Sequence, residues 1–548
     1  MRHFICKEKN IVFLITFLFL FIGLFPTVSF YLRTPKNSDY TFLHNSVSDY
    51  PYYISFIRQG LEGKTKTVDQ FTTELQTPAL LHIFYLVLGR IGSIFSLSAI
   101  QIYFFARAFL GLLFLLSGYA LISYFLKRKW ERILSFIFFI ASGSFPKIIF
   151  GDKGIEIGQY LFWWTETDPL RRITFIPHFL MGHIGLTLGL ILLIYLFKTH
   201  HPLYLIAGII IGLITGLSHP PSLGMIYYIL GVFFIAKVFF SFLYDRVSFV
   251  GLGKQILLFV VYVTLTISSL IYILETTSKI FPWTLMKTQE SLFYAIDMIE
   301  YLLSLGPLSI MCILGILVFL RERKNLTDEK NSYLLIPIFW ILIDIAMIPF
   351  SRFIAFTPLP FKIPTFANIR FLSMAVQLPL SIFAVYFLKV LKKNYGKKIF
   401  WGTIGIYILL TVTIYPQSIK SQLNDFSSAR QFVYVSKNLV KAFEYLDKNT
   451  KEDEAVLTTA DNSLLLPLFA RNKVFFGQAI YTYNNEYKKK IVSQFFSSFE
   501  KNAAYKFLKE GNVHHLLIDN LYTNEIISKY PFLDKIYETE GVYIYKVI

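Results

Sequence analysis

Residues 11–32, IVFLITFLFLFIGLFPTVSFYL, contain no charged side chain. A helix rising about 1.5 Å per residue over that length crosses the ~30 Å hydrocarbon core of a bilayer. Arg2, His3, Lys7 and Lys9 precede the stretch and no small-residue cleavage site is evident. It is therefore read as an uncleaved signal anchor with a cytoplasmic N-terminus. Just beyond it the chain turns polar in Asn45-Ser46-Val47-Ser48-Asp49-Tyr50-Pro51-Tyr52-Tyr53. Asp49 thus sits one short linker past a membrane surface. The aromatic and basic residues that follow, through Ile57-Arg58-Gln59-Gly60, read as an amphipathic segment lying on the bilayer.

Composition sets the class. Hydrophobic residues make up 55% of the 548, charged ones 16%, and there are 57 Phe and 35 Tyr. That is a polytopic membrane protein and excludes an ordinary soluble domain. The net charge of +18 does not point to nucleic acid, because Lys and Arg cluster in short connectors between apolar spans, where they fix orientation. Cys6 and Cys312 are the only cysteines, so no disulfide framework is implied.

Further spans are expected at 106–126, 132–150, 173–197, 203–218, 222–240, 255–274, 301–320, 332–350, 371–388 and 399–416, about eleven transmembrane helices in all. The basic connectors 127–129, 198–201, 245–254, 321–324 and 389–398 alternate onto the N-terminal side. Residues 78–98 carry His82 and Arg90 and would break that alternation, so they read as interfacial. Residues 1–416 then form an α-helical membrane domain with exterior loops at 33–105 and 151–172, set in the plasma membrane as a multi-pass protein. Residues 417–548 form a small extracytoplasmic α/β domain, with strands near 455–459, 515–519 and 542–545 and helices near 442–447 and 503–508. That tail holds no phosphate-binding glycine loop, zinc pattern or nucleophile elbow, and the chain shows no internal repeat.

Asp49 alone is open to two readings, a solvated or capping acid and a functional one. Its setting sharpens the second. An exterior acid after the first span is followed by a surface helix, by Glu74-Leu75-Gln76-Thr77-Pro78, and by an Arg-bearing helix with Ala106-Arg107-Ala108-Phe109-Leu110-Gly111. In this order the chain resembles, over roughly residues 1–420, integral-membrane glycosyltransferases of the GT-C class, the protein mannosyltransferase and aminoarabinose transferase type. The resemblance implies a polyprenyl-phosphate-linked sugar as donor and a hydroxyl of a lipid, glycan or protein as acceptor. It also implies hexosyl or pentosyl transfer with inversion, and Asp49 as the first-loop acid, acting as base or metal ligand. A phosphate-linked sugar has a good leaving group, so the residues to seek are a base for the acceptor and cations for the phosphate.

The second exterior loop, Trp163-Trp164-Thr165-Glu166-Thr167-Asp168-Pro169-Leu170-Arg171-Arg172, supplies both kinds. Glu166 and Asp168 are spaced like the second-loop acidic pair of some GT-C enzymes, and with Asp49 they are the candidate ligands for Mg or Mn. The pattern is Glu-x-Asp where others have Asp-x-Asp, and many relatives that use monophosphate donors lack a metal. The competing reading has Asp168-Pro169 capping the next helix while Arg171 and Arg172 anchor it at headgroups.

Substrate-binding candidates are Arg58, Arg107, Arg171, Arg172, His178, His219 and Arg370. Arg107 and Arg370 each precede a charge-free run, where a guanidinium either grips phosphate or snorkels to the interface. Lys362 and Asn368 share the loop of Arg370. His219, before Pro220-Pro221, marks a forced helix break. Asp344 is the clear mid-span acid. His183, five residues from His178, makes no two-histidine metal pattern and is set aside. Two rivals remain. A transporter or flippase of lipid-linked sugars would concentrate ionisable groups at mid-membrane, and a non-catalytic membrane scaffold would give no reason for acids and arginines to share the tail's face.

Overall fold

A computed structural model describes residues 2–43, 47–151, 154–161, 164–244, 249–290, 292–321, 332–356, 366–498 and 500–548. Asn45, Ser46, Trp163, Lys362 and the connector residues 245–246 and 322–324 lie outside the described residues. The chain divides into two compact units. One comprises Met1–Phe25, Arg107–Tyr272 and Ser291–Ser421; the other comprises Pro26–Ala106, Ile273–Glu290 and Gln422–Ile548.

The first unit is built of apolar helices. Among the described residues of the whole chain, six helices are long and apolar enough to cross a membrane: Glu8–Leu32, Ala99–Phe125, Pro177–Thr199, Pro220–Ser241, Val250–Lys279 and Gln377–Ser428. A seventh is the bent pair Met298–Ser304 and Gly306–Arg321, which turns through 89°. Gly306 makes that corner, with φ +65 and the Gly143 carbonyl oxygen 1.9 Å from where a Cβ would stand. Only a residue without a side chain fits there.

Fewer than the expected eleven are counted by length because some apolar stretches are short and because the expected spans 371–388 and 399–416 fall within the one 52-residue stretch Gln377–Ser428, which is kinked at Gly396 with φ +87. Pro202–Ser218, at 17 residues, is short for an upright span, whereas Leu335–Phe356 runs for 22 residues and overlaps the expected span 332–350. The expected span 132–150 needs correction. Its helix, Lys129–Ala141, ends before Gly143, and Pro146–Gly151 pairs antiparallel with Gly154–Gln159 as a two-stranded hairpin. The short apolar run Ile148-Ile149-Phe150 had the composition of a buried helix but is a strand, an ambiguity that periodicity cannot resolve over so few residues.

Pro177–Thr199, Pro202–Ser218 and Pro220–Tyr244 form consecutive antiparallel neighbours. Each begins with proline, whose missing N–H costs nothing in a first turn. His200, in the left-handed region at φ 54, turns the chain between the first two. This up-and-down path brings the start of the first helix, near His178, to the same end as the break at His219.

The second unit joins the first polar loop to the tail. Ser38–Tyr40 pairs antiparallel with Tyr434–Ser436, with Asp39 opposite Val435. In the tail, Ala455–Leu457 runs parallel to Val513–Ile518, which is antiparallel to Val542–Val547, which in turn is antiparallel to Leu533–Thr539. The last of these strands is absent from the sequence reading. Its alternation is weak, since no residue on it is fully buried. Helices Asp49–Leu61 and Ile83–Ser93 cross closely: a Cβ on Gly60 would stand 2.3 Å from the Leu86 carbonyl oxygen. Around that crossing Tyr52, Phe56, Phe71, Tyr85, Tyr103 and Trp283 form a fully buried aromatic core.

Candidate functional site

In the second unit, Asp49 opens the helix Asp49–Leu61, in the first turn, where a carboxylate is favoured by the unpaired N–H groups of the helix end. It is half-buried, and the Gln478 side-chain amide donates to its Oδ1 at 3.1 Å. Gln478 is itself buried, with its Oε1 accepting from the backbone N–H of Ile480 and Tyr481. The amide is therefore oriented by its neighbours and presents its N–H to the acid. Tyr52, one turn along the same helix, lies flat against Tyr481 with ring centroids 3.5 Å apart and planes 7° apart.

Arg58, a substrate-binding candidate, is committed elsewhere. Its Nε donates to the Pro467 carbonyl, Nη2 to Gln70 Oε1 at 2.7 Å, and Nη1 pairs with Glu62. Burial pulls its pKa down, against the pull of Glu62. The guanidinium rivets the helix to the tail.

Asp69 is fully buried in the same unit. Its Oδ1 accepts from the Phe71 N–H at 2.8 Å and its Oδ2 has no partner. Burial pushes its pKa up to about 7. His82, half-buried with its Nε2 enclosed, stacks on Phe56, and desolvation pushes its pKa down to about 3.

In the first unit, Glu166 lies in the short turn Thr165–Thr167 and His183 in the helix Pro177–Thr199. Both are buried, with Glu166 Oε1 2.8 Å from His183 Nε2. The same ring nitrogen is 2.8 Å from the Ser373 carbonyl oxygen. Neither Glu166 oxygen receives an aligned hydrogen bond, and His183 Nδ1 has no partner.

Asp168 does what the capping reading expected. Its Oδ1 accepts from the N–H of Leu170 and Arg171 and from Ser418 Oγ. Arg172 is buried and wraps the end of the helix Lys129–Ala141, donating to the carbonyls of Phe139, Ile140 and Ser142 and to that of Glu166. Arg171 donates to Ser421 Oγ at 2.7 Å. Arg107 donates through Nε and Nη2 to the Thr174 carbonyl.

His178, His219 and Arg370 are brought together. The two imidazole centroids are 6.0 Å apart, the Phe179 ring is 4.6 Å from His219, and the Arg370 guanidinium carbon is 6.0 Å from the Phe179 centroid. His219 Nδ1 meets Ser222 Oγ at 2.8 Å, while its Nε2 has no partner. Asn368, in the same turn as Arg370, closes a reciprocal pair with the Tyr294 backbone. Asp344 accepts from the Tyr301 hydroxyl at 2.6 Å.

For a metal, the donors must present free oxygen or nitrogen valence to one point. Asp168 Oδ1 is filled by three donors, and among the described residues no group of three or more His, Cys, Asp or Glu could hold a metal ion. Asp49 belongs to the second unit and Glu166 and Asp168 to the first, and no step is routed through a metal.

The sequence reading missed Gln478, Asp69 and His183. His183 was judged only as a metal ligand beside His178; a buried imidazole facing an acid on another element leaves no spacing signal. Gln478 lies far along the chain from Asp49, and Asp69 sits in an unpatterned loop.

No protein-family model matches the chain, and no curated protein matches its sequence. Solved structures are similar in fold. ArnT from Cupriavidus metallidurans bound to undecaprenyl phosphate shares 10% identity over 98% of each chain, with a TM-score of 0.52. The same ArnT in the apo state shares 11% over 99% of this chain and 98% of its own, with a TM-score of 0.47. The archaeal oligosaccharyltransferase AglB from Archaeoglobus fulgidus, in complex with an inhibitory peptide and a dolichol-phosphate, shares 13% over 97% of this chain and 74% of its own, with a TM-score of 0.49. The first likeness shows a shared fold, the GT-C membrane-glycosyltransferase architecture that the order of the first loop resembles.

Proposed function

We propose that this protein is a membrane glycosyltransferase that moves a sugar from a polyprenyl-phosphate donor to an acceptor hydroxyl on the exterior face of the plasma membrane. The observation that carries the reading is the fold shared, over 98% of each chain, with an ArnT whose crystal structure holds undecaprenyl phosphate. In this reading the N-terminus is cytoplasmic, as Arg2, Lys7 and Lys9 before the first span favour, and the tail extracytoplasmic.

In the proposed step the acceptor oxygen attacks the anomeric carbon, with inversion. The bond from that carbon to the phosphate oxygen breaks, the electron pair leaves with polyprenyl phosphate, and Asp49 takes the acceptor proton. Gln478 holds Asp49 Oδ1 by one hydrogen bond and so fixes the carboxylate's orientation. His178, His219 and Arg370 are the proposed phosphate-binding group, since converging imidazoles and a guanidinium at helix ends favour an anion. Glu166 is proposed to position His183 beneath them. Arg107, Arg171 and Arg172 support this reading as positioning residues, because each is hydrogen-bonded to backbone or hydroxyl groups of its own unit.

The test is transfer of radiolabelled sugar from a panel of polyprenyl-phosphate sugars by the purified protein in lipid. Wild type should transfer from at least one donor, and Asp49→Asn should lose at least about a hundredfold in rate, the lower end for a general base. Full activity in a folded Asp49→Asn variant would remove Asp49 as base. Absence of transfer from every donor, with donor binding and vectorial movement across vesicles, would instead favour the flippase.

A further inference from the structure

The second unit holds a cleft of about 410 Å³ between the helix Thr284–Glu290 and the segment after Gln478. Leu285 and Thr288 form one wall; Ala479, Ile480 and Thr482 with Asn484, Asn485, Glu486 and Tyr487 form the rest. We infer that this cleft binds a neutral saccharide, the sugar portion of the acceptor, and leads its hydroxyl toward Asp49. The inference rests on the transferase reading above and adds the acceptor's chemical class.

Three features of the lining carry it. The first is an aromatic face, since Tyr487 of the lining is 64% exposed. Large rings left in water next to a cavity offer the apolar face on which a pyranose lays its C–H groups, with the phenol as a polar handle. The second is dense neutral hydrogen-bonding capacity. Asn484 and Asn485 each offer an amide that both donates and accepts, and Glu486 offers a carboxylate that accepts two hydroxyl protons in strong, charge-assisted bonds. A ligand that can answer all of these at once presents many adjacent hydroxyls.

The third is charge. The lining contains one acid and no Lys or Arg, so no cation of the lining itself grips a phosphate, and the cleft suits an acceptor rather than the phosphate end of a donor.

Position completes the argument. Ala479 of the cleft wall directly follows Gln478, whose amide is bonded to Asp49. A turn anchors the intervening chain: the Thr482 hydroxyl donates to the Phe71 carbonyl and accepts from the Gly477 N–H, and Gln478 Oε1 accepts from Ile480 and Tyr481. The cleft and the hydrogen-bond partner of the proposed base are therefore one rigid segment. A saccharide bound by Asn485, Glu486 and Tyr487 lies along the strip of chain that holds the acid.

The test is direct binding, independent of transfer. The full-length protein in nanodiscs is applied to an array of neutral oligosaccharides, sugar phosphates and peptides, alongside Tyr487→Ala and Glu486→Gln. Both side chains are exposed, so neither change disturbs the core. The expected result is binding of one family of neutral oligosaccharides, weakened about tenfold or more by each variant, which corresponds to about 1.4 kcal/mol. With any active donor, both variants should raise KM for the acceptor and leave kcat and donor KM unchanged. Binding of peptides or sugar phosphates alone, neutral-glycan binding that survives both substitutions, or no glycan binding would each overturn the inference. If transfer fails but neutral-glycan binding is lost in both variants, the cleft stands and the donor reading falls.

Discussion

Asp69 and His82 make opposing contributions to the pH dependence of the second unit, and replacing one exposes the other. Burial raises Asp69 from 3.8 to about 7 and lowers His82 from 6.5 to about 3. Asp69 is fully buried and His82 half-buried, so solvent screening takes least from Asp69, and each pKa unit is worth about 1.4 kcal/mol. The shifts correspond to roughly 4 kcal/mol for Asp69 and about 5 kcal/mol for His82. Between pH 3.8 and about 7 the folded state holds the Asp69 proton that the unfolded chain has lost, so stability falls as pH rises. Between about pH 3 and 6.5 the unfolded chain holds a proton that folded His82 has lost, so stability rises with pH. From about pH 4 to 6.5 the two slopes nearly cancel, and only the Asp69 penalty continues to grow between 6.5 and 7.

Asp69→Asn keeps an acceptor for the Phe71 N–H and removes the titration. Near pH 4 the variant should match wild type; above pH 7 it should be more stable by about 4 kcal/mol. Wild type should be nearly flat between pH 4 and 6.5, while the variant gains about 3 kcal/mol across the same window from His82 alone. The assay is hydrogen exchange of the peptides spanning 67–86 in the intact protein, corrected for intrinsic exchange, which reads the local opening free energy. A difference between variant and wild type that stays constant from pH 4 to 8 would refute the reasoning, since it would mean that Asp69 is ionised at an ordinary pKa in the folded protein.

Two further outcomes follow from packing. Tyr481→Ala removes one face of the Tyr52 stack and should destabilise the second unit by about 3 kcal/mol, read by chemical denaturation; a cost below about 0.5 kcal/mol would show the stack to be incidental. Glu166→Ala and His183→Ala each remove the 2.8 Å contact between two buried groups and should each cost about 1–3 kcal/mol, with the double variant costing less than the sum; strict additivity in that cycle would mean that the two do not interact.

What was legible in the sequence followed from composition and local order. The uncharged run at 11–32 could only be an apolar helix, whereas the segment after Asp49, expected to lie on the bilayer, is a helix buried within the protein from Ile54 through Gly60. What was hidden depends on contacts between distant segments. Arg58 and Arg172 looked like arginines for a lipid phosphate, but both are buried and bonded to carbonyls and side chains of other elements; nothing in their flanking residues encodes that. The run at 148–150 was apolar enough for a helix and became a strand because Gly143 and Pro146 end the preceding helix before it. Gln478 and Asp49 meet through the fold alone.

The candidates separate by hydrogen-bonding capacity. A side chain whose polar atoms are all engaged by its own protein has nothing to offer a ligand without first breaking structure, at about 1–3 kcal/mol per buried group. Asp168, with three donors on one oxygen, and Arg58, with each nitrogen engaged, fall on that side. Glu166, His183 and His219 fall on the other, since each is buried and keeps an atom with no partner. Folding alone does not favour such groups, because burial without a partner is a net cost. Their survival beside His178 and Arg370 is accounted for if a ligand with complementary charge satisfies them when it binds. The argument extends to the second unit, where the Gln478 amide donates to one oxygen of Asp49 and the residue stays half-exposed. A base must keep a free lone pair, and an acid fully saturated by donors would be too weakly basic to take a hydroxyl proton. Gln478→Leu takes away a donor to Asp49 Oδ1 and should therefore shift the pH profile of transfer toward higher pH while leaving donor affinity unchanged.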